Sequence, residues 1–409
     1  MSQSVLPVVL LEAGFMSQSV LPVVLLSHFT AALVALGMPP FFGLILTDTF
    51  AVEHTVWVGW FYIIPTVCTA LAAPFWGKLA DRFGRRWSLL RAQIGLAVAF
   101  VIAGLAPGVI TFAMALMVQG FLGGTFAASS AYLSAIARGQ NLNQSLNWMQ
   151  GSARSAMILA PILFGFFITW VPAQHLYLYM AVLPILAALL VWKLAPPDEV
   201  LGGARGQKQP RERAPASTSW RRLRLLYFGF NFALVASFPY FIPWTQERMG
   251  STAAIAGFLY SLPHALYLII LVSPLRRSVF FGRSWSLLAG LALFALSYVI
   301  QATAGTTVAI LVGRLVMGLG MTICLFALNA ETARLTRMES AGQSFGALDS
   351  AGKWAGVAAG VLAGVATGMS NQTAPLWLGA VATLFTITLT VTLRQSRRLP
   401  GRRPGRRQP

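Results

Sequence analysis

Four ionisable residues lie deep within long apolar stretches of the chain: Arg154, Arg314, Lys353 and Asp349. An ionisable group at the middle of a bilayer costs a few kcal/mol or more, so such residues are functional by default. Asp349 precedes Lys353 by four positions, which places both on one helix face, where they can pair. Three cations against one acid predict a cavity for an anionic substrate, most simply a carboxylate, which Arg can hold through two hydrogen bonds.

Each cation also has a purely structural interpretation, which the sequence leaves open. Arg154 then pairs permanently with an acid, Lys353 pairs with Asp349, and Arg314 serves packing or coupling. Polar and aromatic residues of neighbouring stretches are further candidates for substrate contact, although each alone is more typical of packing. These candidates are Gln119, Gln150, Tyr227, Asn231, Tyr260, His264 and Tyr267.

Other residues have the chemistry to carry protons. His28 and His264 titrate near neutral pH, although each is also typical of a hydrogen-bonded interior histidine. The acids that can couple proton movement to a substrate are Asp349, Glu331 and, at the outer rim, Asp48. The sequence contains no Walker motif, metal-binding cluster or catalytic triad, so we expect neither an enzyme nor a cofactor.

The composition indicates what must position these residues. Of the 409 residues, 56% are hydrophobic and 10% are charged, whereas a soluble domain is about 25% charged. A bilayer is the natural solvent for so much apolar surface. The net charge of +19 does not indicate nucleic acid, because the cations stand in short clusters between apolar stretches. Cytoplasmic loops rich in Lys and Arg account for that charge.

A membrane-spanning helix needs roughly 20 apolar residues, and the sequence predicts twelve such spans. They lie at 19–46, 55–77, 87–106, 108–136, 144–170 and 175–194, and then at 223–246, 252–275, 285–304, 306–333, 342–369 and 374–393. With both termini inside, nearly all of the 30 Lys and Arg residues fall in cytoplasmic loops. We therefore expect an integral protein of a bacterial-type inner membrane, with both termini cytoplasmic.

The two halves of the chain resemble each other. FGRRWSLL at 83–90 returns as FGRSWSLL at 281–288. Parallel repeats of this kind predict an all-α membrane protein of two pseudo-symmetric six-helix bundles, with a substrate site at their interface near mid-membrane. The predicted organisation is a surplus repeat at 1–15, an N-terminal bundle at 16–194, a cytoplasmic linker at 195–222, a C-terminal bundle at 223–394 and a basic cytoplasmic tail at 395–409.

The first residues of the chain contain a duplication: MSQSVLPVVLL at 1–11 returns unchanged at 16–26. The second copy supplies the start of the first span, and the first copy is too short to span a bilayer. We expect 1–15 to be a non-functional extension. Either translation starts at Met16, or the duplication is a tolerated tandem repeat in the coding DNA.

The segment GKLADRFGRR at 77–86 follows the second span. It resembles, at every position, the signature loop G-x-L-x-D-R-x-G-R-R/K of the major facilitator superfamily. Gly77 and Gly84 permit tight turns where the chain reverses. Asp81 can cap the N-terminal end of the eleventh helix near Gly342–Ser344, because helix N-termini favour negative charge.

The arginines of this loop, Arg82, Arg85 and Arg86, can pair with acids across the seam between the bundles. The resemblance implies that the loop latches an outward-open state of an alternating-access transporter. The alternative is that these cations only fix the topology. Together with the twelve spans, the resemblance covers nearly the whole chain and implies the major facilitator fold.

Prolines mark places where helices can bend. GSARSAMILAPILFG at 151–165 is similar to the Gly-Pro motif of the family's antiporters and exporters, with Ala160 in place of the usual Gly before Pro161, and implies export. Pro39 and Pro40 must break the hydrogen-bond ladder of the first span. This break either permits bending during alternating access or forms a fixed kink.

One departure concerns proton coupling. The fourth span often carries R-x-x-Q-G in the family, with the Arg tied to coupling, but here it reads LMVQG at 116–120. Arg314 stands at the equivalent place of the tenth span. Either the second half has taken over the role, or coupling works differently.

These features predict a secondary transporter, and most simply a proton-driven exporter of a small organic anion. The chain is similar to siderophore exporters of the family around QGSARSAMILAP and DSAGKWAG, which implies a carboxylate siderophore as substrate. The alternatives are a multidrug efflux transporter, an importer of a carboxylate or sugar, and a sensor without transport. We expect a monomer whose partners are an anionic small molecule, protons and the lipid bilayer, and no nucleic acid.

Overall fold

The computed structural model describes residues 5–52, 56–168, 170–197, 217–238, 240–250, 253–277 and 285–398. Within these ranges, all regular secondary structure is helical. The first half contains α1 (Val5–Gly37), α2 (Phe42–Leu44), α3 (Val56–Phe83), α4 (Arg85–Gly104), α5 (Val109–Leu122), α6 (Thr125–Ile136), α7 (Gly139–Phe167) and α8 (Leu176–Leu194). The second half contains α9 (Ser217–Ala236), α10 (Phe241–Met249), α11 (Ala253–Val272), α12 (Ser286–Ala302), α13 (Thr307–Leu335), α14 (Ala341–Met369) and α15 (Ala374–Arg398).

In the described part of the chain, 8 helical stretches are long and apolar enough to cross a membrane. They are Val20–Gly37, Trp60–Phe83, Arg85–Gly104, Val109–Ile136, Ala173–Leu194, Ile255–Val272, Thr307–Leu335 and Ala374–Leu393. The apolar helix α12 is shorter, and the other predicted spans coincide with α7, with α9 and α10 together, and with α14. These last helices are less apolar because they carry polar residues that line the cavity described below.

Large apolar side chains also cover the outside of the molecule. Ile110, Ile162 and Phe385 are all more than half exposed, as are many Leu and Val side chains. A soluble monomer rarely exposes contiguous apolar surface on this scale, whereas a bilayer covers it. A helix satisfies its own backbone hydrogen bonds, which is what a chain in hydrocarbon requires.

Three predicted spans are interrupted, and one of them, 223–246, divides between α9 and α10. Helix α1 ends at Gly37 and a 3₁₀ segment follows at Pro39–Phe41, which confirms that the double proline breaks the ladder. The fourth span divides into α5 and α6 at Gly123 and Gly124, and Gly124 has a φ of 78°, which favours glycine. By contrast, α7 runs through Pro161 without a break.

The predicted organisation extends into parts outside the described residues. Helix α1 begins at Val5 and passes through both copies of the N-terminal repeat. Of the first copy, only 1–4 lie outside the residues that the structure describes. Most of the predicted linker, 198–216, and the end of the tail, 399–409, also lie outside it. The domain boundaries and the non-functional character of 1–15 stay predictions.

The two halves meet along a seam of packed helices. Helix α3 packs against α14, which also contacts α6, and α7 packs against α11 and α13. The packing inside each half is carried by neighbours such as α4 with α8 and α12 with α13. The seam places polar residues of α7, α11, α13 and α14 around one space between the halves.

Candidate functional site

A cavity of about 340 Å³ lies between the two halves and is lined by residues of both. Nine of the ten residues predicted to contact a substrate line it, and Tyr267 is the exception: the nine are Gln119, Gln150, Arg154, Tyr227, Asn231, Tyr260, His264, Arg314 and Lys353. The predicted coupling residues His28 and Asp349 line it as well. The structure therefore brings these residues together, and their contact with a substrate stays a prediction.

Arg154 extends from α7 and is 7% exposed. Its Nη1 donates to the sulfur of Met157 at 3.4 Å, which is a weak acceptor, and its Nε has no hydrogen-bond partner. No acid among the described side chains lies within 4.0 Å of the guanidinium. The interpretation of Arg154 as half of a permanent ion pair thus finds no partner in the described part of the chain.

Asp349 and Lys353 stand one turn apart on α14. Asp349 is 6% exposed, and its Oδ2 has no hydrogen-bond partner. The Lys353 ammonium lies more than 4.0 Å from this carboxylate, although the two interact electrostatically. Tyr227 from α9 lies within electrostatic range of both Asp349 and Arg154. Asp349 is the only acid among the described residues that line the cavity, so the lining carries surplus positive charge.

The two cavity histidines differ in their partners. The Nδ1 of His28 is 2.8 Å from the Oγ of Ser152, whose own hydrogen goes to the carbonyl of Met149. When the Ser152 hydroxyl donates to Met149, its oxygen accepts a hydrogen bond from a protonated Nδ1 of His28. His264 packs edge to face against Tyr260 with ring centroids 5.6 Å apart, and its Nδ1 has no hydrogen-bond partner.

Unpartnered polar atoms gather at this cavity. Five of its side chains contain a buried nitrogen or oxygen without a hydrogen bond in the described structure. These atoms are Gln119 Oε1, Arg154 Nε, Tyr260 Oη, His264 Nδ1 and Asp349 Oδ2. Buried polar groups are nearly always hydrogen-bonded, so such a concentration calls for a physical reason. A polar ligand that enters the cavity provides one.

Arg314 extends from α13 and is bonded very differently from Arg154. Its Nε donates to the carbonyl oxygen of Leu259 at 2.9 Å, and its Nη2 donates to the carbonyl oxygen of Tyr260. The guanidinium also lies over the ring of Phe241, 4.1 Å from the centroid. The carbonyl of Leu259 lacks its usual helical partner, because Pro263, four residues later in α11, has no N–H to donate.

The signature loop makes the predicted capping contact. The backbone N–H groups of Gly342 and Gln343 each donate to a carboxylate oxygen of Asp81 at 2.8 Å. Asp81 is near the end of α3, and the two amides belong to the first turn of α14, where N–H groups lack partners within the helix. This contact ties one half of the protein to the other.

Gly77 does not form a turn, so that expectation is wrong. Helix α3 continues to Phe83, and the chain reverses at Gly84, whose φ of 109° favours glycine. The backbones of α3 and α14 cross so closely at Gly77 that a Cβ there would collide with the carbonyl oxygen of Gly342. Gly77 therefore allows the seam to close.

Further hydrogen bonds cross the seam. The Oγ of Ser350 donates to the carbonyl of Ala70, at the middle of α3, at 2.6 Å, and this carbonyl is free because Pro74 lacks an N–H. Between α7 and α13, the side-chain amide of Asn329 donates to Asn147 Oδ1 at 2.8 Å. This contact and that of Asp81 lie at the end of the seam that is predicted to be cytoplasmic, so the structure is closed at that end.

Each of the loop arginines makes a contact within the first half of the protein. Arg85 lies 3.9 Å from Asp81, and Arg86 donates to the carbonyl of Trp192. The guanidinium of Arg82 lies 5.2 Å from the centroid of the Phe83 ring. Their pairing with acids across the seam stays a prediction.

Two predicted coupling acids lie away from the cavity lining. Asp48 is exposed in the π-helical turn Ile45–Thr49 and accepts a hydrogen bond from Thr47. Glu331 is held by two hydrogen bonds from Arg334, at 2.8 and 2.6 Å. Tyr267 is also absent from the lining, and its hydroxyl donates to the carbonyl of Asn147 across the seam. Of the residues predicted to carry protons, His28, His264 and Asp349 line the cavity, and their part in coupling stays a prediction.

Sequence reasoning missed several lining residues. They are Tyr62, Thr66 and Thr69 of α3, the break at Gly123 and Gly124, and Ser237, Phe238 and Phe241 at the junction of α9 and α10. The Gly-Gly pair is a turn signal that predicts the break. The hydroxyl of Thr69, which donates to the carbonyl of Gly120 at 3.0 Å, offers no such signal, since threonine is common in packed helices.

Comparison with known proteins identifies the family. A sequence profile described as Major Facilitator Superfamily matches residues 24–280, which is more than half of the chain. The chain belongs to the major facilitator superfamily, a family of membrane transporters rather than enzymes. The resemblance of the 77–86 segment and the all-helical fold of two bundles agree with this assignment.

Curated relatives match over a limited part. The Staphyloferrin B transporter of Staphylococcus aureus (strain NCTC 8325 / PS 47) is 34% identical over 143 residues, which is 34% of this chain and 34% of that protein. The multidrug resistance protein MdtG of Klebsiella pneumoniae (strain 342) is 31% identical over 140 residues, again 34% of each. The match thus spans about a third of the length of these relatives.

A solved structure matches over most of the fold. The crystal structure of the human organic anion transporter MFSD10 (TETRAN) superposes with a TM-score of 0.77 and 18% sequence identity. The superposition covers 91% of this chain and 99% of that chain. At this identity the likeness concerns the fold alone.

Proposed function

We propose that the protein is a secondary transporter that uses alternating access to export a small organic anion, driven by the proton gradient. A carboxylate siderophore is the substrate we favour. The observation that carries the proposal is the charge of the inter-bundle cavity, where Arg154, Arg314 and Lys353 face Asp349 alone among the described lining residues. A cavity of this charge attracts anions and repels cations.

Further observations support export as the direction of transport and a siderophore as the substrate. The Gly-Pro motif around Pro161 resembles that of exporters, and two relatives bear the names Staphyloferrin B transporter and multidrug resistance protein. Asp349, His28 and His264 are the titratable groups of the cavity suited to carrying protons, and His28 already has a fixed hydrogen-bond partner in Ser152.

The rest of the proposal concerns the membrane. The protein belongs in a bacterial-type inner membrane with both termini cytoplasmic, because nearly all of its 30 Lys and Arg residues then face the cytoplasm. The Asp81 contact then latches the cytoplasmic side shut in an outward-facing state. We propose that a single copy is sufficient for transport, since the cavity is lined by two halves of one chain.

Multidrug efflux is the second candidate, favoured by the relatives named for drug resistance and by aromatic lining residues such as Tyr62, Phe238 and Phe241. Exporters of cationic drugs need acids that pair with the drug. The described cavity lining offers Asp349 alone for that task, which is why we place organic anions first. Import of a carboxylate or sugar and sensing without transport are less consistent with the exporter-like motif.

Inside-out membrane vesicles that carry an acidic interior test the substrate charge and the coupling together. We expect citrate, as a polycarboxylate probe, to release protons from the vesicles in a protein-dependent way, measured by recovery of the fluorescence of a quenched pH-gradient dye. The cation ethidium should release few or none. A response to ethidium and not to citrate would favour multidrug efflux, and responses to neither in protein-containing vesicles would contradict proton-coupled export of carboxylates.

A further inference from the structure

We infer that the two buried arginines of the cavity have different tasks: Arg154, with Tyr260 and His264, forms a carboxylate-binding subsite, and Arg314 is a positioning residue that holds this wall of α11 in place. This inference deepens the proposed function and rests on it. Its basis is the contrast between the hydrogen bonds of Arg154 and those of Arg314.

The free donors belong to Arg154. The Nε of Arg154 has no partner, and its Nη1 meets only the thioether of Met157. Tyr260 Oη and His264 Nδ1 are likewise unpartnered. All three side chains line the cavity, and both Tyr260 and His264 lie within electrostatic range of Arg154. A carboxylate accepts hydrogen bonds through two oxygens. Its negative charge can also pair with the guanidinium of Arg154, which has no acid within 4.0 Å among the described side chains.

Arg314 has its donors occupied. Pro263 leaves the carbonyl of Leu259 without its helical N–H, and the Nε of Arg314 replaces that donor at 2.9 Å. The Nη2 donates to the carbonyl of Tyr260, and the face of the guanidinium lies on Phe241 of α10. A guanidinium that is committed to two carbonyls and a ring has little to offer a substrate.

The position of Arg314 lets it hold the part of α11 that carries two residues of the subsite. Leu259 and Tyr260, whose carbonyls it binds, belong to the turn of α11 that carries Tyr260 and leads to Pro263 and His264. The contacts therefore connect α13 and α10 to the part of α11 that carries Tyr260 and His264, two residues of the cavity lining. Removing Arg314 should loosen that wall without removing the group that recognises negative charge.

Lys353 belongs to a different wall. It stands on α14 within electrostatic range of Asp349 and His28, and no contact ties it to Tyr260 or His264 in the described structure. We therefore assign it to the side of the cavity that holds Asp349 and His28. A carboxylate bound at the subsite and a proton bound at Asp349 or His28 can then be present together.

The test measures charge selectivity in the purified full-length protein. Citrate and its uncharged triethyl ester are titrated into the wild type, Arg154→Gln and Arg314→Gln, and the ratio of the two dissociation constants is compared. These two variants are matched, since each removes one buried guanidinium from the same cavity. We expect the wild type to prefer citrate at least about tenfold, in keeping with hydrogen bonds to a charged group.

Arg154→Gln should reduce this preference to within about threefold, because the charged donor is gone. Arg314→Gln should weaken both ligands and keep most of the preference. Arg154→Met and Arg314→Met serve as second variants if a Gln variant is not monodisperse, with the same order of effects expected, because Met also removes the charge. The inference is overturned if Arg154→Gln keeps the tenfold preference, if Arg314→Gln loses the preference as completely as Arg154→Gln does, or if the wild type binds neither compound. The proposed function is tested separately by the vesicle measurement, so the two failures are distinguishable.

Discussion

Replacing Gly346 by Val should lower the transport rate at least about tenfold and leave the affinity for substrate nearly unchanged. Gly346 of α14 packs against the backbone of α3, and an added Cβ would collide with the carbonyl oxygen of Ala73. Backbone cannot move aside as a flexible side chain does, so α3 and α14 must separate. That separation also breaks the hydrogen bonds from Gly342 and Gln343 to Asp81.

The expected size follows from the cost of overpacking. Inserting atoms into a packed contact costs about 1–3 kcal/mol, which shifts the balance between closed and open forms of this end by a factor of roughly 5 to 150. A transporter that cannot close one end cannot complete its cycle, so the initial transport rate in vesicles should fall by at least about tenfold. Citrate affinity, measured on the purified variant, should stay within about threefold of the wild type.

Gly360→Val is the matched control for this prediction. It places the same side chain on the same helix, but no atom lies within 4 Å of a Cβ at Gly360. Its transport rate should stay within about twofold of the wild type. Equal rates for Gly346→Val and wild type would contradict the role of the α3–α14 seam in closure.

Replacing Asp349 by Asn should separate substrate movement from proton movement. Asp349 is buried in α14 with an unpartnered Oδ2, and it is the only acid among the described lining residues. The charged groups around it are Lys353 on its own helix and Arg154 across the cavity, and Tyr227 faces it from α9. The substitution keeps the shape of the side chain and removes its ability to exchange a proton.

Proton-driven export by Asp349→Asn should fall by about tenfold or more, because an amide cannot bind and release the proton that couples export to the proton gradient. Exchange of labelled for unlabelled substrate, which needs no net proton movement, should continue. Glu247→Gln is the control, since Glu247 is an exposed acid outside the cavity lining and has no predicted role in coupling. If Asp349→Asn still exports against a gradient at the wild-type rate, Asp349 is not the coupling group.

Much of the fold was predictable because the bilayer imposes a simple rule. Long apolar stretches become helices, and a buried charge must face a cavity or a partner. This rule explains why Arg154, Arg314, and the neighbouring Asp349 and Lys353, which belong to three different helices, all line one space. The cap by Asp81 was predictable from electrostatics, since an acid beside a helix N-terminus is stabilised by accepting hydrogen bonds from the free N–H groups there.

The remaining features depend on which distant groups meet. Pro263 indicates that the carbonyl of Leu259 is free, but no local pattern says that Arg314 will bind it. Gly77 reads as a turn residue next to a loop, and only the approach of Gly342 shows that it serves packing. The different tasks of Arg154 and Arg314 are likewise a property of their surroundings, because the sequence presents both as single arginines in apolar helices.

Mass spectrometry of culture supernatants is the most direct test of anion export. Strains without the gene, with the gene, and with the Arg154→Gln form are grown in iron-poor and iron-rich medium, and the released and retained metabolites are compared. Export of a carboxylate siderophore predicts a polycarboxylate chelator in the iron-poor supernatant of the strain with the gene, and its accumulation inside the other two strains. Identical supernatants and cell contents in all three strains would contradict export of such an anion.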